Sequence, residues 1–264
     1  MHKVKFGDIE VTRLVIGGNP FSGFSHQGPE RDREMIRYYT VANIKDALRK
    51  AEAAGINTFF GRTDRHVRRL TREYWDEGGT IQWFGQTASE LCDQLRAIRD
   101  AVRDGATGVY VHGGQVDYWY AQQEFDMLRA ALDTMRECGV VAGFAGHSLD
   151  AHAWIRDNLE PDFQMISYYD PSDRAESPHH VPTVDEKWDD AHRDEMVALI
   201  HTIPCPVVHY KVFAGGNKSI PDGFRFLAAS MRENDLVCIG HYLKDNPDMI
   251  AENVHTFEEA VEGK

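Results

Sequence analysis

The chain has 264 residues, 42% of them hydrophobic, and a formal net charge of −13 from 42 acidic and 29 basic residues. A surface this acidic repels phosphate backbones and anionic lipids, so neither nucleic acid nor a membrane is expected as a partner. No apolar stretch approaches the roughly 20 residues of a membrane span, and the charged residues 1–13 lack the apolar core of a signal peptide.

The four cysteines show no Cys-x-x-Cys spacing; they are Cys92, Cys138, Cys205 and Cys238. This usage predicts reduced thiols in a cytoplasmic protein. The length fits one α/β barrel domain over residues 1–264. We expect a small polar molecule as the ligand, and barrels of this size often form homo-oligomers.

The first elements are a hairpin, a strand and a helix. Residues 6–11 alternate around a turn-like Gly7-Asp8, which predicts a short hairpin. Residues 14–18 form an apolar run that ends in glycine, as in a strand buried on both faces. After a loop rich in Gly, Ser and Pro, apolar residues three or four apart predict a helix over 41–54.

The same strand and helix unit then recurs to the end of the chain. Further strands are predicted over residues 56–60, 82–84, 109–111, 140–145, 163–169, 207–212 and 236–239. Further helices are predicted over residues 67–75, 89–104, 125–138, 151–158, 188–203, 221–233 and 248–261. About eight such units predict an α/β fold, a (β/α)8 TIM barrel with a short N-terminal β-hairpin. A doubly wound open sheet is the alternative, but no Gly-x-Gly-x-x-Gly turn follows the first strand.

Polar residues end five of the predicted strands: His112, His147, Asp170, His209 and His241. In a parallel barrel these strand ends open onto one face, where the active site lies. Imidazoles and a carboxylate from neighbouring strands are ligands for zinc, manganese or iron. We therefore predict a divalent metal held by His112, His147, Asp170 and His209, with metal-free acid–base or binding use of the same residues as the alternative.

Lys211 lies two residues beyond His209, so both are expected on one side of the strand. It is predicted to act as an electrophile, a Schiff-base amine or a general base, or else to pair with Asp170. The loop over residues 170–186 is long enough for a lid.

Other polar residues of the predicted mouth are expected to bind substrate groups. For Asp64, capping the following helix is an equal alternative. Aromatic residues in the loops after the first and fourth strands suit a carbohydrate-like ring. The predicted substrate-binding residues are Asn19, Arg62, Asp64, Gln86, Tyr169 and His241.

Five segments carry a resemblance to a known family. They are residues 6–17, the Ala-Ala-Gly-Ile-Asn-Thr-Phe-Phe run at 53–60, Tyr110-Val111-His112, residues 207–216 and Glu252-Asn253. Through them the chain resembles the aldo-keto reductase superfamily over nearly its whole length. The resemblance implies the same barrel, with His112 as the active-site histidine and Glu252-Asn253 near the adenine of a nicotinamide cofactor.

The rest of the family's catalytic tetrad is replaced. Gly61 stands at the aspartate position, His66 at the tyrosine position, and Gly85 or Gln86 at the lysine position. Reduction by hydride transfer needs a proton donor beside a cation, and that pair is missing.

We therefore predict a non-redox lyase, isomerase or hydrolase acting on a polar, carbohydrate-like substrate. Its predicted catalytic residues are His112, Lys211, His66 and Asp170. One alternative is a divergent NAD(P)H-dependent aldo-keto reductase that uses His66 and His112 as acids. The other is a catalytically idle barrel that binds a ligand.

Overall fold

Eight parallel strands close into a barrel in a computed structural model that describes residues 1–170, 174–179 and 188–263. The strand order is β10-β3-β4-β5-β6-β7-β8-β9, and a separate antiparallel pair, β1-β2, precedes it. The strands are β1 (Lys3–Phe6), β2 (Ile9–Thr12), β3 (Leu14–Gly17), β4 (Thr58–Arg62), β5 (Gln82–Gln86), β6 (Gly108–Val111), β7 (Val141–Gly146), β8 (Phe163–Ser167), β9 (Val207–Tyr210) and β10 (Leu236–Gly240). The predicted (β/α)8 barrel with an N-terminal hairpin is confirmed.

Helices surround the barrel and follow most of its strands. They are α1 (Pro29–Tyr38), α2 (Val41–Ala53), α3 (Arg65–Asp76), α4 (Gln94–Arg103), α5 (Gly113–Ala121), α6 (Phe125–Glu137), α7 (Leu149–Asn158), α8 (Asp190–Ile200), α9 (Ile220–Ser230) and α10 (Met249–Phe257). A π-helical segment, Glu258–Glu262, continues α10. None of the helices in the described ranges is long and apolar enough to cross a membrane.

The N-terminal hairpin contributes to the core inside the barrel. Its strands pair from Lys3 with Thr12 to Phe6 with Ile9. The Phe6 ring lies 5.3 Å from the Phe163 ring and 6.2 Å from the Phe84 ring, between centroids. The hairpin thus fills part of the barrel interior and leaves the strand C-termini to form the mouth.

Alternation along β9 decides which side chains reach the mouth. Val208 belongs to the core inside the barrel, and Tyr210 packs against that core. Val207 belongs to the core between the strands and the helices. Because neighbours on a strand point to opposite faces, His209 faces the helices and Tyr210 faces the barrel interior.

Two helices were not expected from the sequence. Helix α1 lies in the loop after the first barrel strand, with Pro29 in its first turn. Helix α5 begins directly after His112, which caps it. Its first five residues are all buried, two of them glycines, so no amphipathic pattern marks it in the sequence. Most of the loop predicted over residues 170–186 lies outside the described residues.

Candidate active site

Two connected cavities occupy the mouth of the barrel. The first, which we call the long cavity, has a volume of about 360 Å³ and extends from the barrel interior at Phe60 and Met165 to Asn253 on α10. The second, the short cavity, has a volume of about 390 Å³ and is lined by His112, His147 and other polar groups. Seven residues line both: Asn19, Phe24, His26, Arg62, Gln86, Tyr210 and Lys211.

A chain of three hydrogen-bonded side chains reaches the junction of these cavities. The carboxylate of Asp117, on α5, lies 2.8 Å from Nδ1 of His147. Nε2 of His147 lies 3.0 Å from the Tyr210 hydroxyl, which is also 3.0 Å from the carbonyl of Gly146. We call Asp117, His147 and Tyr210 the relay.

The relay rests with a neutral imidazole. Burial, reinforced by the positive charges of Lys211 and Arg174, holds the pKa of His147 well below its usual value. The Asp117 carboxylate accepts hydrogen bonds from the backbone N–H groups of His147 and Ser148, which favour its ionised form. Because this carboxylate lies beside Nδ1, the imidazole proton is held on Nδ1. Nε2 then carries no proton, so Nε2 and the Gly146 carbonyl are two acceptors for the single proton of the Tyr210 hydroxyl. Burial also raises the pKa of that hydroxyl well above its usual value.

His112 presents a hydrogen-bond donor to the short cavity. The backbone N–H of Gly114 donates to Nδ1 of His112 at 3.2 Å. Burial first, then the coupled titration of His147 and the positive charges of Arg62 and Arg174, hold the pKa of His112 well below its usual value. A neutral imidazole that accepts at Nδ1 carries its proton on Nε2.

Two cationic side chains, Arg62 and Lys211, line both cavities. Arg62, at the end of β4, donates from Nε to Asp64 at 3.1 Å and also pairs with Glu90. Lys211 directly follows β9 with a φ of 57°. Its Nζ lies 5.7 Å from the centroid of the Trp188 ring. Lys211 lines both cavities, whereas His209 does not, so the expectation that the two lie on one side of the strand is wrong. The strand ends at Tyr210, and the positive φ of Lys211 breaks the alternation there.

The four predicted metal ligands do not converge. His209 points away from the mouth: its Nδ1 lies 3.0 Å from the Tyr168 hydroxyl and its Nε2 lies 3.2 Å from the Asp235 carboxylate. Asp170 is exposed and lines neither cavity. Within the described ranges, no three His, Cys, Asp or Glu side chains are grouped to hold a metal ion. The prediction overlooked the strand alternation, which turns His209 outward.

Several other predicted site residues also lie away from the mouth. His66 is exposed on α3, and Asp64 caps that helix by accepting from the N–H of Val67 at 2.9 Å. Tyr169 is buried beside Asp190, with 3.3 Å between its hydroxyl and that carboxylate. His241 is fully buried. None of the four lines either cavity.

The structure does place His112, His147, Lys211, Asn19, Arg62 and Gln86 in the mouth. It adds three residues that the sequence analysis missed: Asp117, Arg174 and Tyr210. Asp117 lies on α5, five residues after His112, which caps that helix. Its position near the strand ends can be inferred only once α5 is recognised as a helix. Tyr210 can be assigned to the mouth once Val208 is known to face the barrel interior, because alternate residues of a strand share a face.

The long cavity offers groups of several kinds along its length. Tyr210 gives an aromatic surface at the junction, and Lys218 and Arg31 give positive charge farther out. Two buried polar atoms on its lining, Nε of Arg31 and the Tyr242 hydroxyl, have no hydrogen-bond partner among the described residues. Each such atom is a costly group to leave unpaired, so a ligand that bonds to it is favoured.

The loop after β9 passes so close to Gln27, beside the long cavity, that position 216 has no room for a side chain. Gly216 has a φ of 95°, and a Cβ at that position would lie 2.4 Å from Nε2 of Gln27. That same Nε2 donates to the carbonyl of Gly215 at 2.7 Å. Glycine at position 216 thus lets the loop approach Gln27 closely enough to keep this contact.

No protein-family model and no curated protein matches the sequence. Solved structures do match over nearly the full chain. A putative aldo-keto reductase from Pseudomonas aeruginosa is 18% identical with a TM-score of 0.64, covering 98% of this chain and 95% of its own. The holo form of an aldo-keto reductase from Bacillus halodurans is 11% identical with a TM-score of 0.63, covering 97% and 90%.

The barrel is also similar to a protein of a different activity. A truncated 3-deoxy-D-arabino-heptulosonate 7-phosphate synthase from Thermotoga maritima is 10% identical with a TM-score of 0.59, covering 99% of this chain and 92% of its own. At these identities the likeness concerns the fold. The resemblance to aldo-keto reductases is confirmed at the level of the barrel, and the chemistry has to be argued from the site.

Proposed function

We propose that the protein is an NAD(P)-dependent oxidoreductase that interconverts a carbonyl group and an alcohol. The observation that carries the proposal is the junction at Tyr210, where a long cavity suited to a dinucleotide meets a short polar cavity with proton-transfer groups. The aldo-keto reductase-like barrel supports the same activity by analogy of fold. This is the alternative of the sequence analysis, and it now replaces the non-redox prediction as the leading function.

The lining of the long cavity fits a nicotinamide dinucleotide. Tyr210 would support the nicotinamide ring, and Tyr242 and Asn253 would contact the adenosine part. Arg31, which pairs with Glu34 and Asp245, and Lys218, which pairs with Asp190, would bind phosphate groups in exchange for these ion pairs. The unpartnered Nε of Arg31 and hydroxyl of Tyr242 are donors for such a ligand. When bound, the cofactor supplies or accepts the hydride.

The residues of the short cavity supply the polar half of the reaction. Nε2–H of His112 is a neutral donor that binds the substrate oxygen and favours the negative charge that develops on it. In the oxidative direction, the Tyr210 hydroxyl takes the alcohol proton as its own proton passes to Nε2 of His147. The Asp117 carboxylate 2.8 Å away stabilises the resulting imidazolium. Reduction runs the same proton transfers in reverse.

The relay takes the place of the missing tyrosine–lysine pair. His66, at the position expected for the acid, is exposed on α3 and cannot serve. Tyr210 instead comes from β9, on the opposite side of the barrel from β4 and β5, where the usual acid and its lysine would lie. A divergent reductase that has lost the usual acid can thus retain a proton donor.

A non-redox enzyme is the second candidate, and the relay itself is the observation that favours it. A neutral imidazole held by a buried carboxylate is a general base, and it can remove a proton beside a carbonyl without any cofactor. This candidate keeps the lyase or isomerase activity of the sequence analysis but not its four-ligand metal site.

Titration with NADPH separates the two candidates. We expect cofactor fluorescence to change saturably with a micromolar dissociation constant. Lys218→Met should weaken binding several-fold, because Lys218 lines the long cavity and its ammonium, 2.8 Å from Asp190, would bind a phosphate group of the cofactor. Lys50→Met, which removes a partly exposed lysine on α2 outside both cavities, is the matched control and should bind as the native protein does. Absence of saturable binding would overturn the oxidoreductase proposal in favour of the second candidate.

A further inference from the structure

We infer that the short cavity takes a substrate that bears a carboxylate, and that Arg174 binds this group. The inference rests on the proposed function only in treating the short cavity as the substrate pocket. It concerns a part of the substrate that does not react, so it holds for a redox or a non-redox reaction at the same site.

Arg174 is a buried cation that forms no ion pair with an acidic side chain of the described residues. Its side chain is 7% exposed and lines the short cavity. Nη1 donates to the carbonyl of His179 at 2.8 Å, a neutral acceptor. In the part of the chain that the structure describes, no carboxylate forms an ion pair with it, and its Nε has no hydrogen-bond partner. A buried charge in this state is costly unless a ligand supplies the opposite charge.

The neighbouring cation Arg62 is already neutralised. It pairs with Asp64 and with Glu90, and Glu90 itself lines the short cavity. Among the described residues no carboxylate pairs directly with Arg174, and Asp117 and Asp170 interact with its charge only at longer range. The Arg174 charge contributes to the lowered pKa values of both His112 and His147. Arg174, His112 and His147 line the same cavity, so a group bound to Arg174 lies in the same pocket as the reacting groups.

The geometry favours a carboxylate over a larger anion. With Nη1 held by His179, the guanidinium keeps its Nε edge for a ligand, and two parallel N–H donors on one edge match the two oxygens of a carboxylate. The single positive charge of the Arg174 guanidinium fits a monoanion.

The chemistry of the pocket then defines the substrate class. An oxygen bound by Nε2–H of His112 is the reacting carbonyl or hydroxyl, and a carboxylate on Arg174 fixes its orientation. The substrate is thus a small oxo acid or hydroxy acid. In a protein with a net charge of −13, a local cation is needed to hold such an anion against the overall repulsion.

Calorimetric binding without cofactor tests the inference with two probes of equal shape. 4-Formylbenzoate carries the carboxylate, and 4-formylbenzamide replaces it by a neutral amide. We expect the native protein to bind the acid about tenfold more tightly than the amide. Arg174→Gln should abolish that preference, and Arg174→Lys, which keeps the charge without the fork, should retain only part of it.

The matched control is Arg225→Gln, which removes an exposed arginine on α9 and should keep the full preference. Equal binding of the two probes by the native protein, or a full preference in Arg174→Gln, overturns the inference. Tighter binding of phenyl phosphate than of 4-formylbenzoate overturns the choice of carboxylate. If Arg174→Gln does not fold, the comparison of the native protein with Arg174→Lys decides.

The outcome is independent of the cofactor. NADPH titration on the same samples reports the proposed oxidoreductase function. A protein that prefers the acid but does not bind NADPH supports the carboxylate pocket and rejects the redox reaction. A protein that binds NADPH but does not prefer the acid supports the redox reaction and rejects the carboxylate pocket.

Discussion

The carboxylate of Asp117 accepts two hydrogen bonds from His147, one from the backbone N–H at 3.0 Å and one from Nδ1 at 2.8 Å. Both residues are buried, with 5% of each surface exposed. A helix residue thereby fixes both the position and the tautomer of a histidine that follows a barrel strand. The proton chemistry proposed for the mouth depends on this pair.

Asp117→Asn should remove the proton acceptor while keeping the side-chain shape. The amide can donate to Nδ1 and so favours the wrong tautomer of His147. We expect kcat to fall about 10²–10⁴-fold with little change in KM, measured as reduction of 4-formylbenzoate by NADPH. Asp133→Asn, an exposed change on α6, is the control, and a native kcat in Asp117→Asn would contradict the relay.

Tyr210→Phe should separate ring contact from proton transfer. The ring remains to support a ligand, but the hydroxyl that bonds to His147 and Gly146 is lost. We expect NADPH affinity close to the native value and a large loss of kcat.

The double variant Asp117→Asn/Tyr210→Phe should be scarcely slower than the worse single variant, because the two residues act as a unit. Tyr120→Phe, on the far part of α5, should be silent. Additive losses in the double variant would show that the two residues act independently.

Asp235→Asn should destabilise the fold without touching the mouth. This carboxylate, 0% exposed, accepts from the N–H of Val207 at 2.9 Å, from Nε of Arg232 at 2.9 Å and from Nε2 of His209 at 3.2 Å. Removing one partner of a buried charge pair costs about 3–5 kcal/mol. Urea denaturation measures the loss.

The same variant tests the structural role assigned to His209. If NADPH and 4-formylbenzoate bind to the folded variant with native affinity, His209 and Asp235 belong to the scaffold. A variant with native stability but impaired binding would return His209 to the active site.

His241→Leu should make the free energy of unfolding less dependent on pH in the acid range. Burial lowers the pKa of His241 to about 4, whereas an unfolded histidine titrates near pH ~6.5. The folded state therefore binds fewer protons in this window, and stability is lost as the pH falls from ~6.5 to ~4. The contribution is about 3 kcal/mol.

Comparing unfolding free energies at neutral pH and near pH ~4 tests this assignment. The difference should shrink in His241→Leu and stay native in His66→Leu, where the histidine is exposed. An unchanged difference in His241→Leu would show that other buried histidines dominate the acid loss.

The barrel was predictable because its pattern is local. Glycine stops such as Gly55, Gly105 and Gly139 separate helical periods from apolar runs, and each unit can be identified by itself. Which residues of β9 face the barrel interior was not predictable in the same way. Val207 and Val208 are both buried, so an apolar run does not say which of His209 and Tyr210 points inward.

The relay was hidden for a related reason. Helix α5 begins with Gly113-Gly114 and is buried on several sides, so neither propensity nor periodicity marks it. Without that helix, Asp117 has no defined position relative to His147. Strand ends located the mouth, whereas the contacts between elements that define its chemistry required the three-dimensional structure.

Transfer of deuterium from NADPH that carries deuterium at both C4 positions of the nicotinamide tests the central claim most directly. The protein is incubated with the labelled cofactor and 4-formylbenzoate, and the product is analysed by mass spectrometry. An oxidoreductase with this mouth yields 4-(hydroxymethyl)benzoate that carries deuterium on its benzylic carbon, and Asp117→Asn yields it far more slowly. Unlabelled or absent alcohol, from protein that binds both ligands, would contradict the account.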